Sequence, residues 1–292
     1  MRVAFLGFGL IGGSVARALR EPTRRSDWSI AAWSPSGDGP ALGVADGVID
    51  VAAATVADAV RGADMVVLAA PVPACLTLLD ELAGGAARDL ATNAVITDVA
   101  STKAVLLDRA NALGLRYVGG HPMAGLESAG FGAGRGDLFV GRPWVVVAGR
   151  FADAGDSERV EALARACGAH AIPMAADAHD RAVAGISHLP LVLAAALVEA
   201  VALSDIAEHR ADWPGAVALA ASGWRDTTRL ARGDPQMGAG IVATNAAALA
   251  SRLRELRAVL DRWQAELDRP GGPDADAIED WLRAVSSALD VP

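Results

Sequence analysis

Lysine is almost missing from this chain: of its 26 basic residues, 25 are arginine and one, Lys103, is lysine. Keeping a single ammonium inside Asp98-Val99-Ala100-Ser101-Thr102-Lys103 suggests that this position needs a compact point charge, which the broad guanidinium cannot supply. Cysteine is nearly absent too. Cys75 and Cys167 lie in apolar surroundings without metal-ligand spacing, which argues for reduced packing residues rather than a bridge or a metal site. No excess of positive charge exists: a net charge of −9 leaves no basic stripe to displace counterions from phosphates, so a nucleic-acid partner is excluded and an anionic substrate needs a local basic pocket. Uninterrupted apolar runs, such as Leu189 to Val198, stop short of the ~18 to 20 residues of a membrane span, so no membrane association is expected. Met1-Arg2 leads straight into an apolar strand pattern rather than a basic segment followed by a leader, and the expected compartment is the cytoplasm.

What is present is enough chain, 292 residues at 52% hydrophobic, for two domains with substantial cores. Val3 to Leu6 reads as a strand, Gly7-Phe8-Gly9-Leu10-Ile11-Gly12 as a glycine turn, and Gly13 to Leu19 as an amphipathic helix. In that order the first glycine permits the tight turn, the second lets backbone approach a pyrophosphate, and the third allows close helix packing, with phosphates at the helix N-terminus. The pattern predicts dinucleotide binding. A second strand over Ser29 to Trp33 ends at Ser34, where an NAD enzyme usually places a carboxylate for the ribose. Nothing at Ser34 repels a 2′-phosphate, so both NAD and NADP are admissible, with Asp38 after the strand a candidate for the ribose and Arg24 or Arg25 before it candidates for a phosphate. The strand Ala63 to Ala70 ends in Pro71-Val72-Pro73, a turn expected under the nicotinamide, and Ala94 to Val99 delivers Ser101 and Lys103 to the C-terminal sheet edge where open parallel sheets bind ligands.

His121, within Gly119-Gly120-His121-Pro122-Met123-Ala124-Gly125-Leu126-Glu127, has little strand or helix propensity around it. A turn is expected there, holding the imidazole in open space as a proton acceptor near neutral pH. From about Ala175 the pattern becomes helical: Asp177 to Leu203 with an interruption at Gly185 to Pro190, then helices near Trp213 to Ala221, Pro235 to Val259 and Asp274 to Leu289. Leu191 to Val198 is apolar on every face, and a partner subunit is the natural cover, so a homodimer is expected. The expected domains are 1–173, an α/β dinucleotide-binding unit of Rossmann type, and 174–292, all helical.

Five stretches in order, Gly7 to Ser14, Asp98 to Lys103, Gly120 to Glu127, Ser187 to Pro190 and Arg225 to Arg229, resemble the prephenate/arogenate dehydrogenase family of tyrosine biosynthesis. The resemblance covers residues 1 to about 250 and implies a Rossmann domain, a helical dimerisation domain and an active site in the cleft between them. It implies that His121 accepts the proton of the substrate's 4-hydroxyl, that Ser101 positions that hydroxyl and the nicotinamide, and that Arg229, oriented by Asp226, binds a substrate carboxylate. His188 and Glu127 are similar to further pocket residues, and Lys103 is placed at the substrate by the point-charge argument alone. The chain departs from the family pattern at Leu191, where histidine is frequent, and at Gly238 and Gly240, close to where Trp and Asp are frequent. Prephenate, arogenate and a ring-amino analogue therefore stay open as substrates.

The chemistry stands without the family. A cyclohexadienol carrying a ring carboxylate can lose hydride from its carbinol carbon while CO2 departs, with aromatisation as the driving force, so orientation plus general-base work suffices. Among rivals, a β-hydroxyacid dehydrogenase of similar architecture relies on a lysine in its helical half, and the one lysine here is in the α/β half. A cofactor-sensing regulator has no need of His121, Ser101 and Arg229 together.

Overall fold

A computed structural model describes residues 1–21, 28–126, 128–204 and 206–290. Among these residues, eight strands form one sheet: β1 (Arg2–Leu6), β2 (Ser29–Trp33), β3 (Val51–Ala52), β4 (Met65–Leu68), β5 (Val95–Asp98), β6 (Tyr117–Pro122), β7 (Pro143–Ala148) and β8 (His170–Pro173). Their order is β3-β2-β1-β4-β5-β6-β7-β8, with the first six parallel, β7 antiparallel to β6 and β8 parallel to β7. Both faces of the central strands are covered. Val3 and Phe5 enter one core while Ala4 and Leu6 enter the other, which is why these strands read as continuous apolar runs rather than alternating ones. The order reverses between β1 and β4, and such a switch point opens a crevice at the C-terminal ends of the strands.

The helices woven through the sheet are α1 (Leu10–Leu19), α2 (Asp38–Ala45), α3 (Val56–Val60), α4 (Val72–Ala83), α5 (Ala104–Ala112) and α6 (Ala154–Ala166). After β8 come α7 (Ala176–Val183), α8 (Leu189–Ala202), α9 (Ala207–Ala218), α10 (Ser222–Thr228), α11 (Pro235–Thr244), α12 (Ala246–Leu267) and α13 (Ala275–Leu289). The α/β architecture followed by helices agrees with the sequence reading. The chain divides into two compact units, Met1–Ala246 and Ala247–Pro292. In the second, Trp263 and Trp281 meet edge to face with ring centres 5.5 Å apart.

Two expectations are corrected. His121 is not in a turn: it is the fifth residue of β6 and pairs with Val145 of β7, because antiparallel pairing supplies the backbone partners that its neighbours' low strand propensity did not suggest. The interruption expected at Gly185 to Pro190 is no break, since Ala184–His188 forms a π-turn that carries α7 into α8 and tolerates Pro190 at the first turn of α8. The resulting continuous helix, Ala176–Ala202, is long and apolar enough by length and composition to cross a bilayer, which counting uninterrupted apolar runs did not reveal. Yet His179, Asp180 and His188 on it are buried and hydrogen-bonded within the chain, while most of its apolar window is left uncovered.

Candidate active site

The glycine turn lies at the end of β1, beside the switch point. Gly7 has φ +88°, and a Cβ there would stand 2.5 Å from the Ala69 carbonyl oxygen, so both conformation and space demand glycine. Gly9 differs: among the described residues an added Cβ would meet nothing within 4 Å, and no side chain caps α1, so its first-turn N–H groups have no side-chain acceptor there. An uncapped helix N-terminus behind an open glycine fits the pyrophosphate of a dinucleotide. Leu10 and Ile11 open α1, and Gly12 packs it against Ala69 with only 3.0 Å left for a Cβ. Phe8 offers backbone only, because its ring is buried and stacked on Phe131 at 5.3 Å. Ser34 follows β2 with its hydroxyl shielded from solvent and without a partner among the described residues, and exposed Pro71 caps α4 across the switch point.

His121 reaches the same sheet edge, since β6 runs parallel to β5, β4 and β1. Glycine precedes it for a reason: a Cβ on Gly120 would overlap the Asp98 carbonyl oxygen and stand 2.9 Å from Trp144 Nε1. The imidazole is only 7% exposed. Burial, and then the Lys103 ammonium and the neighbouring His179 and His188, hold its pKa well below the ordinary histidine value. It is therefore neutral at physiological pH, the form that accepts a proton. Its Nδ1 lies 2.8 Å from His179 Nε2, and His179 Nδ1 lies 2.7 Å from Asp180 Oδ1. Burial would raise the Asp180 pKa, but hydrogen bonds from His179, Ala104 and Lys103 outweigh it and hold the carboxyl below its usual range.

His188 is buried as well, and burial above all pushes its pKa down to about 4. The Asn245 amide donates to the Asp180 carbonyl (2.7 Å) and to His188 Nδ1 (3.1 Å), which leaves His188 Nε2 as a buried N–H without a partner among the described residues. Ser101 sits half-buried between Ala100, whose N–H donates to Asp98 (2.8 Å), and Thr102, whose hydroxyl meets that of Thr244 in α11 at 2.9 Å.

Lys103 is a correction. Its side chain is 1% exposed, its ammonium pairs with the buried Asp98 carboxylate, and it donates to the Gly120 carbonyl at 2.7 Å, so its charge is used inside the fold and not offered to a ligand. The hydroxyl of Tyr117, the chain's single tyrosine, also donates to Asp98. Asp226 lies on α10, and Arg229 opens the short turn after it, which packs against α8; both side chains are exposed. Of the departures noted above, Leu191 and Gly238 face each other, with Leu191 Cδ2 3.7 Å from where a Cβ at 238 would stand, and Gly240 lies against Pro73. Glu127, Arg24 and Arg25 lie outside the described residues.

Residues 15–173 match the family model described as prephenate dehydrogenase, nucleotide-binding domain, and residues 175–284 match the one described as prephenate dehydrogenase, dimerization domain. The chain belongs to the prephenate dehydrogenase family. Within this family it is similar to the prephenate dehydrogenase of Bacillus subtilis, 33% identical over 273 residues that span 91% of this chain and 68% of the relative. Among solved structures it is similar to the prephenate dehydrogenase of A. aeolicus in complex with hydroxyphenyl propionate and NAD+, at a TM-score of 0.84 and 25% identity, covering 100% of this chain and 98% of that one. It is also similar to the arogenate dehydrogenase of Synechocystis, at a TM-score of 0.78 and 28% identity with 99% of each chain covered.

His179, Asp180 and Asn245 were missed by the sequence reading. The available signal was two histidines and an aspartate inside an otherwise apolar helical stretch, because buried polar groups persist only where partners meet them.

Proposed function

We propose that this protein is a prephenate dehydrogenase, converting prephenate to 4-hydroxyphenylpyruvate and CO2 with NAD+ or NADP+ as oxidant. In this reading 1–173 binds the dinucleotide and 174–292 forms the interface of a homodimer. The observation that supports it best is His121, a buried imidazole kept neutral at the sheet edge that also carries the open glycine turn.

A bound nicotinamide supplies the hydride acceptor. His121 takes the proton of the 4-hydroxyl as C4 gives up hydride, the electron pair of the C–CO2 bond moves into the ring, and the phenolic oxygen takes the proton back. The step combines general-base work with orientation, and aromatisation drives it. Ser101 holds the hydroxyl, Arg229 oriented by Asp226 holds a carboxylate, and His188 and Glu127 line the pocket. Arogenate, with the same ring hydroxyl and ring carboxylate, is the second reading, favoured by the likeness to the Synechocystis enzyme.

The test is the near-ultraviolet absorbance of reduced nicotinamide when purified protein meets prephenate or arogenate with either cofactor. Turnover is expected, and His121→Asn should lower kcat by roughly 10² to 10⁴ while cofactor affinity is kept. No turnover of either substrate, or near-native kcat in that variant, refutes the reading. Light scattering should give a dimer at micromolar protein.

A further inference from the structure

We propose that His179 and Asp180 are positioning residues that impose one tautomer on His121 and then take over the charge it acquires. The inference rests on His121 being the proton acceptor. Ionised Asp180 can only accept: its Oδ1 receives the Lys103 N–H (2.8 Å) and faces His179 Nδ1 (2.7 Å), and its Oδ2 receives the Ala104 N–H (3.0 Å). The proton of a neutral His179 is therefore on Nδ1, and its Nε2 carries a lone pair. That lone pair lies 2.8 Å from His121 Nδ1, which must then be the donor. His121 Nε2 is left bare, the state a general base needs. Neutral imidazole in water prefers the opposite tautomer, so the bare Nε2 is a product of this chain of bonds.

The same geometry gives the proton somewhere to go. When His121 Nε2 takes the hydroxyl proton, the Nδ1 proton passes to His179 Nε2; the pair gains one proton and one positive charge, and the return of the proton to the phenolic oxygen reverses both moves. The charged and titratable groups around the pair are Asp98 at the end of β5, Lys103 from the β5–α5 connection, His188 from the π-turn and Asp180 from α7. A cation on His121 is repelled by the Lys103 ammonium, whereas one on His179 stands 2.7 Å from the Asp180 carboxylate. Both rings are buried, 7% and 1% exposed, so solvent competes little for the shared proton.

The decisive measurement is long-range 1H–15N NMR of the 15N-histidine-labelled wild-type protein at about pH 8, above the ordinary histidine pKa. The five histidines are assigned by single His→Asn variants. Both His121 and His179 should carry their proton on Nδ1. A His121 protonated on Nε2, or a doubly protonated His179 donating to a bare His121 Nδ1, overturns the inference. The readout needs no turnover, so a protein with this tautomer and no activity on prephenate loses the functional reading and keeps the positioning pair.

In kinetics, His179→Leu should lower kcat on the order of 10² to 10⁴-fold, as loss of tautomer control does in other histidine-based catalysis, with KM for prephenate nearly unchanged. His179→Gln can accept from His121 Nδ1 but cannot take its proton. It should keep the His121 tautomer and recover only part of kcat. Wild-type kcat in folded His179→Leu, or full kcat in His179→Gln, counts against the relay. If the leucine variant does not fold, the wild-type spectrum still decides.

Discussion

Replacing Lys103 by methionine removes the ammonium while keeping most of the stem's length and apolar bulk. In the wild type that ammonium is bonded to Asp98 and to the Gly120 carbonyl, with both side chains of the ion pair essentially inaccessible, 1% and 0% exposed. Breaking a buried pair from one side costs about 3–5 kcal/mol, because the remaining charge is left uncompensated. Asp98 keeps the Tyr117 hydroxyl and the N–H groups of Ala100 and Gly120, so a loss near the lower end, about 3 kcal/mol, is expected. Urea unfolding followed by circular dichroism at fixed protein concentration reads this as a lower midpoint with an unchanged slope. Adding Asp98→Asn should return part of the loss, with a coupling of roughly 1–3 kcal/mol between the two sites. Lys103 also penalises the cation on His121, so in the surviving folded enzyme the acid limb of activity should move to higher pH. If Lys103→Met unfolded at the wild-type midpoint and instead raised KM for substrate many-fold, the ammonium would face the ligand and the assignment to the core would be wrong.

The acid limb of kcat/KM in the wild type should lie well below about pH 6.5, because a depressed folded pKa keeps His121 neutral and accepting as the pH falls; a limb at or above that value contradicts this. His188 is held at about 4 by burial, aided by His179 and opposed by Asp180, while the unfolded chain protonates it from about 6.5. Stability is therefore lost as the pH falls through that window, by about 3 kcal/mol at its lower end, and His188→Asn should flatten the urea midpoint against pH there. Arg229→Ala should weaken substrate binding by about 2 kcal/mol, roughly 30-fold in KM, with cofactor affinity unchanged; an unaltered KM in a folded variant takes Arg229 out of the site. Ser34→Asp should shift the ratio of kcat/KM toward NAD by repelling a 2′-phosphate, and wild-type enzyme with no measurable NADP turnover would show that Ser34 does not set the choice.

The strand, glycine turn and helix at residues 2–19 were legible in the sequence because each follows from local chemistry: an apolar run, glycines where φ is positive or space is short, and an amphipathic period. The change from mixed α/β to helix after Pro173 was legible for the same reason. His121 could be picked out as chemistry, but its surroundings could not. Its place in a strand depends on pairing with β7, and its neutral state on burial beside Lys103. Lys103 misled for a related reason: a lone ammonium looks the same in sequence whether it meets a ligand or Asp98, and only packing decides which. The contact between His121 and His179 joins positions 58 residues apart, and Asn245 reaches His188 across 57. Hydrogen bonds of that span leave no periodicity and no spacing rule behind. They exist because the chain brings α7, α11 and β6 to one sheet edge, and buried polar groups there must find one another or go unsatisfied.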